Sequence, residues 1–457
     1  MYPLYEEVNS LDSRCRTKYK IPEILMMEHA ALALSGAITS KTPKGESVLI
    51  VCGPGNNGAD GLACARQLMD DYEVMVYLPL GAKSSLAKEQ LAMVESLHVK
   101  IINKLENAYT IVDALFGSGV RALDEKMSTL VEELNKMQAL KIACDLPTGL
   151  GHGGVVFCAD ITVTMGALKV GLFEEDLKEY VGEIIVGDLG IPRSYYEIPS
   201  NINLLDRGDL HLPYRKKAQV HKGSFGHLLV LGGEKRGASL LSCEAAFSFG
   251  AGLVSLWGEG EVPPHIMQTD KMPSNTSAIA AGMGLGNAWS EQDLKKILIE
   301  NTHPLVLDAD ICALDLVKEC VNLEKPIVIT PHPKEFASLW FTCKGQKIGV
   351  EDIQKERIKL AKEFSLQTQA VLILKGAHTI IAQRGEVFIS PYSAPSLAKG
   401  GSGDVLAGMV GALLAQGYSA KEAAISSVLA HVLAAKSLQC NSYALTPQAL
   451  IEGVKCL

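Results

Sequence analysis

The strongest constraint on this chain is an alternation. Short apolar runs recur along it, separated by stretches with helical periodicity. Up to about residue 190 the runs fall at 47–52, 74–78, 110–115, 141–144, 161–164 and 183–186, and helical stretches at 62–68, 84–97 and 127–140 separate the early ones. That pattern specifies a parallel sheet with helices on both faces. The stretch IPRSYYEIPSNINLLDRGDLHLPYRKKAQVHKG then breaks the rhythm with prolines, mixed charge and no sustained period, and reads as a linker and leading arm. A second series follows at 227–232, 253–257, 278–281, 305–307, 327–329, 371–374 and 379–382. It is not a visible repeat of the first. A chain of 457 residues exceeds one ordinary core. The expected organisation is an α/β domain over 1–198, a linker over 199–219 and a second α/β domain over 220–457.

Bulk properties exclude several classes. Net charge is −8 with acids and bases interspersed, so no nucleic-acid surface is indicated. Eleven cysteines include no C-x-x-C, so neither a zinc site nor a disulfide framework is visible. Cys52, Cys64, Cys144 and Cys243 lie in apolar runs, as buried thiols do. The opening MYPLYEEVNS is not a signal peptide, and no apolar run reaches 18 residues. A soluble cytoplasmic protein is expected.

After the first run comes GPGNNGADG, which holds G-x-G-x-x-G at Gly53, Gly55 and Gly58. A glycine turn between strand and helix aims backbone N–H groups at an anion. An ordinary dehydrogenase also needs an acid at the end of the next strand. Here that strand, YEVMVYL, ends in Pro79, Leu80 and Gly81. The loop also carries Asn56, Asn57 and Asp60, more side-chain oxygen than a pyrophosphate requires. Two other strand ends are polar: Asp113, Gly117, Ser118 and Gly119 in one, Asp145, Thr148 and Gly149 in the other. Strand carboxyl ends face the ligand crevice of an open parallel sheet. Asn57, Asp113 and Thr148 offer one carboxylate and two neutral oxygens, a set suited to a monovalent cation. Taken singly, each also reads as a cap for the next helix.

The second half carries LAKGGSGDVLAGMVGALLAQG. Val405, Leu406, Met409, Val410, Leu413 and Leu414 form a helical stripe, so Gly400, Gly401, Ser402 and Gly403 lie at a helix N-terminus. Its N–H groups suit phosphate, and Asp404 beside them could accept a hydroxyl proton. ILKGAHTIIA puts Lys375 at a strand turn, where it can meet phosphate. Asp308, Asp310, His332 and Glu335 end two further strands, with Glu335 able to hold Mg²⁺ through water. A lone His332 reads more often as a packed or capping residue.

GPGNNGADG, VDALFGSGVR, CDLPTGL and ALKVGLF, with LMMEHAA before them, are similar in order and spacing to the NAD(P)H-hydrate epimerase family. The resemblance implies a Rossmann-like three-layer fold, a bound K⁺, and interconversion of the R and S forms of hydrated NADH and NADPH (NADHX and NADPHX). It places K⁺ on Asn57, Asp113 and Thr148. It places the nucleotide on Asn56, Asn57, Gly58, Ala59 and Asp60, on Gly117, Ser118, Gly119, Val120, Arg121, Ala122 and Leu123, and on Asp145, which is also a catalytic residue. Ala59, Thr148 and His29 stand where the family usually has Gly, Ser and Asn.

HKGSFGHLLVLGG, RGASLLSCEAAFSFGAGLV, AGMGLG, LDADIC, TPHPKEF, LKGAHT and GGSGDVLAG resemble the ADP-dependent NAD(P)H-hydrate dehydratases, which are ribokinase-like. That resemblance implies hydrate contacts at Ala238, Gly284, His332 and Asp404. It puts ADP, with Mg²⁺, on Lys375, Gly376, Ala377, His378, Thr379 and Gly403. Asp404 is the expected base, and ADP would yield AMP and phosphate. Met283, Lys334 and Lys399 replace the usual Pro, Gly and Thr. A homo-oligomer acting only on small nucleotides is expected. A small-molecule kinase and a non-catalytic nucleotide sensor are the alternatives.

Overall fold

The computed structural model describes residues 1–118 and 122–457. It divides into two compact units, Pro3–Ser200 and Asn201–Leu457, the second including Met1–Tyr2. Among the described residues no helix is long and apolar enough to cross a membrane.

The strands, in chain order, are β1 (Tyr2–Pro3), β2 (Ser47–Cys52), β3 (Glu73–Tyr77), β4 (Lys100–Ile102), β5 (Thr110–Ala114), β6 (Leu140–Cys144), β7 (Ile161–Met165) and β8 (Glu183–Gly187). After them come β9 (Ile202–Leu204), β10 (His227–Leu231), β11 (Leu253–Trp257), β12 (Met267–Thr269), β13 (Ala278–Ala281) and β14 (Leu305–Leu307). The series ends with β15 (Ile327–Ile329), β16 (Val371–Leu374), β17 (Ile380–Gln383) and β18 (Glu386–Ile389).

In the first unit the order is β4-β3-β2-β5-β6-β7-β8, parallel throughout. Successive residues of β2 point to opposite faces. Val48 and Ile50 join one buried cluster with the helix Glu23–Lys41, while Leu49 and Val51 join another with the helix Glu125–Lys136. This is the three-layer arrangement that the Rossmann-like expectation implied. Strand order reverses between β2 and β5, which opens a crevice at their carboxyl ends.

Two helix boundaries differ from the sequence reading. The helix expected from residue 62 spans Asn56–Leu68, with Gly55 as its N-cap. Its first turn is polar and glycine-bearing, so it lacks the apolar period that marks the rest. Asn56 to Asp60 therefore sit on the helix rather than in a loop before it. The helix expected to reach residue 140 stops at Lys136, because Leu140 opens β6.

The second unit is an eleven-stranded sheet, β1-β9-β18-β17-β16-β15-β14-β13-β10-β11-β12. From β15 to β12 it is parallel, and β16, β17 and β18 form an antiparallel meander. The segment read as a linker supplies β9, which pairs in parallel with β18. Helix Ser402–Ala415 is buried along most of its length, and joins helix Arg236–Ser248 and strands β10 and β13 in one core. Cys52, Cys64, Cys144 and Cys243 are buried and free.

Candidate active sites

The first site lies at the β2/β5 crevice. Gly53 and Gly58 are dictated by close approach. A Cβ on Gly53 would lie 1.7 Å from the Leu115 carbonyl oxygen, and one on Gly58 would lie 1.9 Å from that of Gly53. Gly55 has open space around it. The first turn of this helix leaves N–H groups without an intrahelical partner at the crevice.

Asp113 is fully buried at the end of β5. The Leu115 N–H (3.1 Å), the Thr148 N–H (2.8 Å) and the Thr148 hydroxyl (2.7 Å) all donate to its carboxylate. Burial nevertheless pushes its pKa up to about 6, against those bonds. Asn57 places its side-chain oxygen beside Gly117, opposite a carboxylate oxygen of Asp145, and its amide nitrogen is buried without a partner. So the structure joins Asp113 directly to Thr148, and it sets Asn57 beside Gly117 and Asp145.

Asp145 has a left-handed backbone (φ 70°), uncommon outside glycine. Its carboxylate is held by three donors. It accepts from the Ser118 N–H (3.0 Å), the Met165 N–H (3.2 Å) and the buried Lys169 ammonium (2.6 Å). Lys169 also donates to the Thr164 hydroxyl (2.8 Å) and the Met165 carbonyl (3.1 Å). Asp60 projects from the helix into the same acidic surroundings. Burial, with repulsion from Asp145, Asp12 and Glu23, holds its pKa well above the usual range. Asn56 donates to Glu23 (2.8 Å) at the rim. Ala122 and Leu123 follow on the same loop, and Leu123 packs near Gly149. The expected contacts Gly119, Val120 and Arg121 lie outside the described residues.

The second site runs along the carboxyl ends of the larger sheet. Lys375 opens the β16–β17 turn. Its ammonium bonds Asp308 at 2.9 Å, lies 3.5 Å from Glu335, and would sit 3.3 Å from a Cβ on Gly403. Burial opposes its charge, but the attraction of Asp308 and Glu335 outweighs that and raises its pKa. Asp404 occupies the first turn of helix Ser402–Ala415, whose N-cap is Gly401 at φ 94°. Its pKa is pushed up to about 6, first by burial and then by Asp308, with Lys375 pulling the other way. One ammonium therefore stands among the carboxylates of Asp308, Glu335 and Asp404.

His332 caps helix Pro333–Lys344: the Glu335 N–H donates to its Nδ1 (3.1 Å), and its own N–H donates back to Glu335 (2.8 Å). Its ring remains about half exposed. Gly284 (φ 61°) faces Ala238, whose Cβ would lie 3.2 Å from a Cβ on Gly284. Gly376 has no room for a side chain because the buried Arg357 guanidinium lies against it, donating to the Leu374 and Lys375 carbonyls. The Thr379 hydroxyl closes the turn onto the Gly376 carbonyl (3.2 Å), and His378 is buried behind it.

The sequence matches two family models: "YjeF-related protein N-terminus" over residues 23–171 and "NAD(P)H-hydrate dehydratase" over residues 228–455. It is 40% identical over 475 residues to the bifunctional NAD(P)H-hydrate repair enzyme Nnr of Helicobacter pylori, covering 100% of both chains. The chain belongs to the bifunctional NAD(P)H-hydrate repair enzyme family. The relative of the same name from Dictyoglomus turgidum is 33% identical, covering 93% of this chain and 91% of that one. The ADP/ATP-dependent NAD(P)H-hydrate dehydratase structure from Bacillus subtilis aligns at 29% identity over 52% of this chain and 91% of its own, with a TM-score of 0.46.

The residues that depart from the usual pattern of these repair enzymes take the following places. Ala59 is fully buried within the helix and has no positive φ, so alanine carries no strain there. The His29 ring lies against Gly190 (φ 76°). Lys399 turns its ammonium to the Tyr443 carbonyl (2.8 Å), and Lys334 is exposed on the helix that His332 caps. Met283 is fully buried in the core.

Sequence reasoning passed over Lys169, which stands in the ALKVGLF motif but has no partner visible from spacing. It also passed over Tyr196, whose hydroxyl donates to Asp12 (2.7 Å), and over Arg357. His431 is another: its Nε2 bonds the Ser402 carbonyl (2.9 Å), and burial lowers its pKa to about 4. The partner of each lies far along the sequence, so even Lys169, inside a motif, gives no local sign of its role.

Proposed function

We propose that the two sites act in turn on one damaged nucleotide. The N-terminal site interconverts the R and S forms of hydrated NADH or NADPH, and the C-terminal site dehydrates the S form with ADP. The observation that carries the second assignment is Asp404: a carboxylate with a pKa of about 6, beside a glycine-lined helix N-terminus and the Lys375 ammonium. Asp404 takes the proton of the substrate hydroxyl as that oxygen accepts the terminal phosphoryl group of ADP, releasing AMP. Phosphate then leaves with its C–O bond, and the neighbouring carbon loses a proton to give the double bond. The N–H groups after Gly400 and the Lys375 ammonium hold the phosphoryl oxygens, and positioning and charge stabilisation carry most of such a transfer. Carboxylates outnumber the ammonium here, which fits Mg²⁺ held through water at Glu335. When bound, Mg²⁺ neutralises phosphate charge.

In the first site Asp145 is the catalytic carboxylate, held by Lys169, and Asn56 to Asp60 with Gly117 to Leu123 hold the nucleotide. Asn57, Asp113 and Thr148 hold K⁺. The supporting observation is a fully buried carboxylate, Asp113, whose hydrogen bonds all come from neutral groups. A nearby cation would relieve that burial.

Chemically hydrated NADH supplied with ADP and Mg²⁺ tests the reading: dihydronicotinamide absorbance should return, with AMP and phosphate formed. A stable phosphorylated product with no return of absorbance would mean a kinase instead. K⁺ should raise the melting temperature of the wild type more than Li⁺ does, and Asp113→Ala should lose that difference. An unaltered K⁺ response in the variant would remove the cation assignment.

A further inference from the structure

The carboxyl ends of the central strands line up in sheet order. Lys375 follows β16, His332 follows β15, Asp308 follows β14 and Gly284 follows β13, while Gly233 follows β10 and Gly258 follows β11. The ADP and hydrate contacts proposed above occupy this row from β16 to β13. Its other end holds a cavity of about 350 Å³ with no role so far, lined in part by Gly232, Gly233, Arg236, Gly258, Glu259 and Trp289.

The position is physically meaningful. Strands β10, β11 and β12 succeed one another in one direction across the sheet, and β13 to β16 in the other. The reversal between β10 and β13 is where a crevice opens in such a sheet. The cavity lining also packs directly against the hydrate contacts. A Cβ on Gly233 would lie 2.2 Å from the Gly284 carbonyl oxygen, and the N–H groups of Glu234 and Lys235 donate to the Leu285 (3.2 Å) and Gly284 (3.0 Å) carbonyls. Gly284 thus abuts Gly233 of the cavity lining. Three strand spacings separate Asp308 from Gly258, roughly 14 Å.

The lining has its own chemistry. The Trp289 indole packs edge-on to Trp257, with centroids 5.1 Å apart, and its N–H donates to the Gly232 carbonyl (2.7 Å). That wall is fixed. The Arg236 guanidinium packs on Gly260 and donates to the Glu261 carbonyl, and Glu259 is exposed beside it. A rigid aromatic wall, a carboxylate and a guanidinium around a glycine floor suit a flat base carrying a ribose.

We propose that this cavity receives the adenosine end of the hydrated dinucleotide while its hydrated ring lies near Asp404. The inference rests on the dehydratase reading. With the ring at Ala238 and Gly284, and ADP on the β16 side, the rest of the dinucleotide extends toward β10 and β11.

The sharpest test is to fill the cavity. A Cβ on Gly258 would meet only the Gly232 Cα, at 3.5 Å, and the residue has no positive φ, so Gly258→Leu adds bulk without displacing backbone. In the full chain, KM for the S hydrate of NADH should rise about tenfold or more, the order expected for losing one stacked base. KM for ADP should not change. Hydrated reduced nicotinamide mononucleotide, which lacks the adenosine end, should compete as well against the variant as against the wild type. Trp289→Ala should act in the same direction, and Trp289→Phe should recover most of the loss. An unchanged KM for the dinucleotide in Gly258→Leu, or equal weakening of the mononucleotide, would overturn the assignment. Wild-type chain inactive on hydrated NADH with ADP would instead overturn the dehydratase reading, and this inference with it.

Discussion

Asp404 stands where two effects oppose. A helix N-terminus favours a charged carboxylate. Burial, together with Asp308 and Glu335, disfavours it, and Lys375 only partly offsets them, leaving a pKa near 6. From helix position alone the residue should be firmly ionised; the packed site raises its titration to just below neutral pH. A base must be deprotonated to act, so kcat/KM for dehydration should rise with pH through about 6 and level off above it, because that quantity reports the free enzyme. Asp404→Asn should cost about 10²–10⁴ in rate while ADP still binds. Near-normal turnover in the variant would refute the base role, and loss of ADP binding would make it structural. Lys169 poses the converse case. Its side chain is 2% exposed and its ammonium is the cation bonded to Asp145. Lys169→Met would leave that carboxylate uncompensated, and breaking a buried pair costs about 3–5 kcal/mol. Epimerisation should disappear and the N-terminal unit should melt earlier, while S-hydrate dehydration persists. Wild-type epimerisation in this variant would mean that Asp145 does not depend on the pair.

At the scale of elements, the glycines at the head of helix Asn56–Leu68 have unequal duties. Gly58→Ala would push a methyl into the Gly53 carbonyl, so the helix N-terminus must move and epimerisation should fall sharply. Gly55→Ala meets open space and an extended backbone, and should cost no more than about 1 kcal/mol as a poorer N-cap. Similar losses in both variants would contradict the close-packing explanation. The G-x-G-x-x-G pattern thus states that the chain is tight here, but not which glycine is tight against what. Central strands were legible for a related reason. Runs such as Leu253–Trp257 and Val371–Leu374 are buried on both faces and need no partner to be recognised. Some short strands at or near the sheet margins were not, although the edge strand β8 was. β4, β9 and β12 have three residues each, and their apolar content does not separate them from loops. β18 was missed because its hairpin turn, Arg384-Gly385, has both residues at positive φ but lacks the usual Asn or Asp. Site residues that lie in motifs, such as Asn57, Asp113, Thr148, Lys375 and Asp404, were legible. Tyr196 and His431 were not, nor was Lys169 despite its place in ALKVGLF, because only the fold brings them to their partners.

For the whole molecule, the division between Ser200 and Asn201 sets where the chain can be cut. The N-terminal unit holds its own end: the Tyr5 hydroxyl donates to the Ile198 carbonyl (2.6 Å), and the Ser200 hydroxyl to that of Leu4 (2.7 Å). On the other side, Ile202 and Leu204 of β9 are buried against β18, and Leu205 is fully buried with its N–H donating to the Ile389 carbonyl (2.9 Å). Each of those side chains contributes about 1.5–3 kcal/mol by burial. Removing all three would take away much of a domain's usual margin of about 5–15 kcal/mol. Met1 contributes less: its amino group meets Asp206 and Asp209 at a well-exposed ion pair, and such pairs are worth about 0–1 kcal/mol. Fragment 1–200 should therefore fold and epimerise, and 201–457 should fold and dehydrate. Fragment 206–457, which lacks β9 and Leu205, should melt far below 201–457 or aggregate. The measurements are circular dichroism melts of the three fragments and each activity on R and S hydrates. Equal melting of 201–457 and 206–457 would show β9 to be dispensable. Failure of 201–457 to fold alone, with 1–200 folded, would show that the second unit depends on the first.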